Sequence, residues 1–128
     1  MSKLITTHFQ WIVFQKSFEA AMKIYRATKS FPKEETYSLI DQIRRSSRSV
    51  SANLSEAWRK RRYRAAFLAK LSDAEAEAAE TQTWIAFAVK CTYLNRDEAI
   101  PLHKEYDEIL RLIVSLIVKP DPWLMPTK

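Results

Sequence analysis

The chain contains no glycine. At ordinary usage, about 7%, a chain of 128 residues would carry about nine. Glycine supplies the positive φ that tight hairpins and the usual helix C-caps require. Such turns are missing or made by another residue, which argues against a β-rich fold. Glycine-rich phosphate loops and dinucleotide fingerprints are ruled out. What the composition leaves open is a set of helices joined by connections made from other residues.

The length suits one domain, residues 1–128, with a real core. Apolar residues make up 47% and charged residues 28%, an ordinary globular balance. No apolar run approaches the roughly 20 residues that span a bilayer, and the N-terminus has no secretory apolar region. Cys91 is the single cysteine, which precludes an internal disulfide and fits a cytoplasmic location. Its expected place is the core, as a small apolar residue.

Four helical patterns follow one another. The first runs from about Trp11 to Lys29, with Phe14, Phe18, Ala21, Met22 and Tyr25 as its apolar stripe. Phe31-Pro32 ends it, because the residue before proline is pushed out of the α region. The second runs from Glu34 or Glu35 to Lys60, with Leu39, Ile43, Ser46, Val50, Leu54 and Ala57 inside. The third covers about Ala65–Tyr93, with Phe67, Leu71, Ala74, Ala78, Thr81, Ile85 and Ala88 inside. A turn near Arg61–Arg64 separates these two, since the stripe rotates there and one unbroken helix would be improbably long. The fourth starts after Asn95, an N-cap, or later near Ile100 because Pro101 disfavours the first turns. Leu102, Tyr106, Ile109, Ile113 and Leu116 form its stripe. The pattern predicts an all-α, up-and-down four-helix bundle over residues 11–117, followed by a Pro-rich tail, residues 118–128.

The charge is unevenly placed. Residues 42–64, QIRRSSRSVSANLSEAWRKRRYR, hold eight Arg or Lys and one acid, Glu56. The net charge of the whole chain is +6, so this one segment carries all the basic excess. With Ile43 at zero on a helical wheel, Arg44, Arg48, Arg59 and Arg62 fall between about 100° and 160°. They form one stripe along the helix flank. Arginine forks match phosphate oxygens, so the segment is a candidate nucleic-acid surface: Arg44, Arg45, Arg48, Arg59, Lys60, Arg61, Arg62 and Arg64. The competing reading is a solvated face paired with the third helix's acids Asp73, Glu75, Glu77 and Glu80. Trp58 and Tyr63 lie among these arginines, where they either pack or stack bases.

Asn53 and Glu56 lie beside the second helix's apolar stripe and are candidates for a packing or oligomer interface. Trp123, in the tail, is too apolar to leave in water and is a third such candidate. No catalytic set emerges. A bundle metal site needs several Glu with Glu-x-x-His spacing, and His8 and His103 do not supply it. Neither metal nor cofactor is expected.

The combination Phe31-Pro32-Lys33-Glu34-Glu35, Gln42-Ile43-Arg44-Arg45-Ser46 and Asn53-Leu54-Ser55-Glu56-Ala57 resembles a known family. Ala76-Glu77-Ala78-Ala79-Glu80-Thr81 extends the likeness into the third helix. These pieces are similar to the small four-helix-bundle proteins encoded by intervening sequences in bacterial 23S rRNA genes. The likeness covers about residues 9–117. The family usually has glycine where Ala57 stands and often tryptophan where Phe14 stands. The resemblance implies a bundle that assembles into a ring, typically a homopentamer, with no catalytic activity. It also implies kinship with accessory proteins of diversity-generating retroelements, which bind a reverse transcriptase and nucleic acid. The expected function is thus a non-enzymatic RNA- or DNA-binding scaffold. Its expected partners are nucleic acid, further copies of itself and a nucleic-acid-processing protein, with no membrane and no small-molecule substrate. The alternative is a structural adaptor whose ring binds another protein and no nucleic acid.

Overall fold

The computed structural model describes residues 5–126. Within them lie four helices and no strand: α1 (Ile12–Thr28), α2 (Leu39–Arg59), α3 (Arg64–Lys90) and α4 (Arg96–Val118). Short 3-10 turns occupy His8–Gln10, Lys33–Glu35 and Asp121–Trp123. The helices pack α1 on α2, α2 on α3, α3 on α4, and α4 back on α1.

Contacts at the two ends show the alternating direction. At one end Trp11, before α1, meets Trp58 near the end of α2, Phe67 near the start of α3 and Trp123 after α4. At the other, Phe31 after α1 meets Tyr93 after α3, and Tyr93 bonds Glu35 before α2. Each helix therefore runs against its neighbour, as in an up-and-down bundle.

The inner faces of α2, α3 and α4 are the expected stripes, and each of their residues is buried. Ala57 and Ala78 are completely covered, which lets α2 and α3 approach closely. Two pairs of inward hydroxyls satisfy one another, whereas the buried Tyr106 hydroxyl has no hydrogen-bond partner among the described residues. Ser17 pairs with Ser51 at 2.9 Å between α1 and α2, and Ser46 with Thr81 at 2.8 Å between α2 and α3.

Several expectations are corrected. The buried face of α1 is Val13, Phe14, Ser17, Ala20, Ile24 and Thr28, about one residue round from the expected stripe. Phe18 and Met22 lie exposed, and Tyr25 is half-buried. α2 begins at Leu39, not at Glu34 or Glu35, which belong to the preceding 3-10 turn. α4 begins at Arg96 and continues through the exposed Pro101. Its N-cap is Asn95, whose side chain accepts the Glu98 N–H at 2.8 Å. Cys91 is exposed because it caps α3 beyond the last buried turn.

The C-terminus of α3 shows how a chain without glycine ends a helix. Tyr93 N–H donates to Ala88 O at 2.9 Å and Thr92 N–H to Val89 O at 3.0 Å. This is the Schellman arrangement, in which glycine normally takes the left-handed position. Here Thr92 takes it, at φ 64°, an unfavourable conformation for a β-branched residue.

Candidate nucleic-acid interface

The eight basic residues of the α2 flank and the α2–α3 turn do not share one environment. Three are committed to the fold. Arg44 is half-buried against α1, where Nε donates to Thr28 Oγ1 at 2.8 Å and the guanidinium lies 4.8 Å over the Tyr25 ring. Arg61 turns inward over the Trp58 ring at 3.5 Å, and its Nε donates to Trp58 O at 2.8 Å. Its own carbonyl accepts the Met125 N–H at 3.0 Å, which ties the tail to the turn. Burial, then the neighbouring Arg59, lowers the Arg61 pKa. An arginine starts so high that it stays charged. Arg64 pairs with Asp121 of the tail at 2.6 Å.

The other five, Arg45, Arg48, Arg59, Lys60 and Arg62, are exposed. Among the described residues none of them forms an ion pair. Arg48 has only a loose contact, 5.9 Å over the Tyr25 ring. From Arg48 to Arg59 is three helical turns, so the patch extends about 16 Å along α2 before it reaches the turn.

The acids of α3 do not pair with the patch. Glu80 accepts from Trp84 Nε1 at 3.1 Å, and Asp73 lies 4.0 Å from Lys70. Burial, and then Glu80, pushes the Glu77 pKa up, against a lesser pull from Arg45. Glu56, the segment's own acid, pairs with Lys70 across the α2–α3 contact at 2.6 Å. This pair raises the Lys70 pKa. Asn53 is half-buried and turns back on its own helix, donating to Ser49 O at 2.9 Å. Trp123 packs within the chain, its ring 5.7 Å from Trp11 and 6.2 Å from Trp58.

Residues 10–115 match the family described as 23S rRNA-intervening sequence protein. The chain belongs to that family. A crystal structure from Bacteroides thetaiotaomicron, described as a protein with unknown function from the S23 ribosomal protein family, is 33% identical. The match covers 82% of this chain and 97% of that one, with a TM-score of 0.75. No curated protein matches. The family match takes in the whole of α1, α2 and α3 and ends within α4. It therefore includes the basic segment and leaves out the tail that holds Arg61 and Arg64.

Among the described residues no group of three or more His, Cys, Asp or Glu could hold a metal ion. No helix among them is long and apolar enough to cross a membrane. The two aromatic residues among the arginines, Trp58 and Tyr63, take different places. Trp58 is buried in the tryptophan cluster, but Tyr63 is 64% exposed and follows the unpaired Arg62 in the chain. Its place in the turn, between Arg62 and Arg64, was the available signal.

Proposed function

We propose that the protein is a non-enzymatic, cytoplasmic scaffold that binds RNA or DNA by its phosphates along α2 and the α2–α3 turn. The observation that carries the reading is the set Arg45, Arg48, Arg59, Lys60 and Arg62, all exposed and without an acid partner among the described residues. A concentrated unneutralised patch attracts a polyanion and gains affinity from released counterions. The family's tie to rRNA genes supports RNA as the ligand.

The reading includes self-assembly into a ring, a pentamer by family resemblance. Phe18 and Met22 on α1, and Val114 and Val118 on α4, are apolar and exposed, and association would cover them. A ring repeats the basic patch, so a long strand would bind through effective concentration. The same apolar surface favours the rival reading of an adaptor for another protein.

A salt titration of binding tests the proposal, with wild type beside the double variant Arg59→Ala/Arg62→Ala. The slope of log affinity against log salt should flatten by about one unit per lost phosphate contact. Both sites are exposed and alanine favours helix, so circular dichroism should not change. Light scattering on the same samples should give a multiple of 15.0 kDa. Identical slopes in two equally folded proteins, or no binding at low salt, would give the lead to the adaptor.

A further inference from the structure

The turn between α2 and α3 is four residues, Lys60–Tyr63, and its backbone is closed. Tyr63 N–H donates to Lys60 O at 3.0 Å, and Tyr63 O accepts the Phe67 N–H at 2.9 Å. Tyr63 is the N-cap of α3, with extended dihedrals of φ −123° and ψ 114°. Its backbone is thus held on both sides. Its side chain is not: the residue is 64% exposed, and no side-chain hydrogen bond, ring contact or cation contact engages it among the described residues. Burial was close at hand. Trp11, Trp58 and Trp123 form a cluster at this end of the bundle, and Arg61, two residues earlier, is drawn onto it. The turn sends Arg61 inward and leaves Tyr63 outside.

The charged residues nearest Tyr63 in the chain are all basic. Arg59, Lys60 and Arg62 are exposed and unpaired, and Arg64 is neutralised by Asp121. Tyr37 makes an instructive contrast. It is 94% exposed, yet its neighbours in the chain include Glu34, Glu35 and Asp41. An aromatic face on a fixed backbone among unpaired cations is the arrangement that stacks an unpaired base while the cations hold flanking phosphates. A duplex keeps its bases stacked on one another and offers such a ring nothing but its backbone.

Resting on the phosphate-binding reading above, we infer that this surface takes single-stranded nucleic acid, with Tyr63 as the stacking platform and Arg59, Lys60 and Arg62 as its phosphate contacts. The ligand class is an unpaired strand, read without strong sequence preference, because every base has a π-face.

The test uses the full chain and two labelled probes: an oligouridylate of about 20 nucleotides, and an RNA duplex of about the same length. Tyr63→Ala should weaken oligouridylate binding by about five- to 150-fold and leave duplex binding within about twofold. Tyr63→Phe keeps the ring and should bind as wild type. Tyr63→Leu keeps bulk without the π-face and should behave like Tyr63→Ala. Tyr37→Ala should change nothing. If Tyr63→Ala and wild type bind the single strand equally, stacking is refuted. The phosphate reading then stands or falls by the effect of Arg59→Ala/Arg62→Ala on the same probes. If Tyr63→Leu binds like wild type, the ring acts only through bulk and the inference is overturned. If wild type binds neither probe at low salt, both readings fail.

Discussion

The two ends of α3 solve the same problem in opposite ways. At its start, the turn Lys60–Tyr63 needs no positive φ, and a tryptophan cluster seals the bundle beneath it. Apolar contact fixes that end, so most of its polar residues are left facing water. At the far end, Cys91–Asn95, the seal is smaller: Phe31 against Tyr93 at 5.6 Å. There the polar groups hold the structure. Tyr93 donates to Glu35, Glu35 also receives Ser38 and the Leu39 N–H, and Asn95 caps α4. An end secured by aromatic packing can leave charges free for a ligand. The hydrogen-bonded end also exposes charges, but of both signs: Lys33, Lys90 and Arg96 beside Glu34, Asp97 and Glu98.

If that contrast is right, the largest effect comes from opening the aromatic end. Trp11 is 2% exposed and touches three other aromatic residues. Trp11→Ala should cost about 3–5 kcal/mol of unfolding free energy. Phe31→Ala at the other end should cost less, about 3 kcal/mol, the low end of that range, because its ring has a single aromatic neighbour. Chemical denaturation of the two variants decides it. Equal losses would mean that the ends are not sealed differently.

A smaller effect, of opposite sign, is expected at the hydrogen-bonded end. Thr92 holds the left-handed position of the Schellman turn at φ 64°. Thr92→Gly removes a Cβ that the conformation disfavours and should stabilise the protein by about 1 kcal/mol, net of glycine's greater freedom when unfolded. An unchanged or lowered denaturation midpoint would show that the turn is not strained. The same glycine at Lys60, where φ is −100°, should destabilise.

These ends also show where the sequence was legible. The stripes of α2, α3 and α4 could be read because each repeats large apolar residues at helical spacing. α1 misled because its inner face includes Ser17, Ala20 and Thr28, while one residue further round stand Phe18, Ala21 and Tyr25. The face that packs inward is made acceptable by the Ser17–Ser51 bond, a pairing across 34 residues that periodicity does not record. The start of α2 was misplaced for a similar reason. Glu35 looked like a first-turn acid, but it receives the Leu39 N–H from outside the helix and is anchored by Tyr93. At the candidate site the excess of charge was plain from counting. Which arginines remain free was not, because Arg61 and Arg64 are engaged by a tail that returns from 62 and 57 residues away. For Tyr63 the sequence left packing and stacking open, and the turn leaves the residue exposed.

The smallest effect concerns pH, and it falls on the hydrogen-bonded end alone. The bonds from Ser38, Tyr93 and the Leu39 N–H, in that order, hold the Glu35 carboxyl below the usual carboxylate value. A depressed value means that Glu35 contributes fully above its unfolded pKa, about 4.3, and that this is lost as pH falls through the lower folded value. Tyr93 shifts the other way. Its bond to Glu35, aided by burial, pushes it up to about 12. The native state then keeps a proton that the unfolded chain releases near pH ~10, so this contribution is present below that pH and lost on the way up to the folded value. Tyr93→Phe should therefore flatten the curve of melting temperature against pH on the alkaline side. It should flatten the acid side less, because two donors to Glu35 remain. Glu35→Gln should flatten the acid side most. Thermal melts across the range separate these outcomes. If the Tyr93→Phe and wild-type curves run parallel on the alkaline side, the Tyr93–Glu35 bond does not secure this end, and the contrast between the two ends must rest on packing alone.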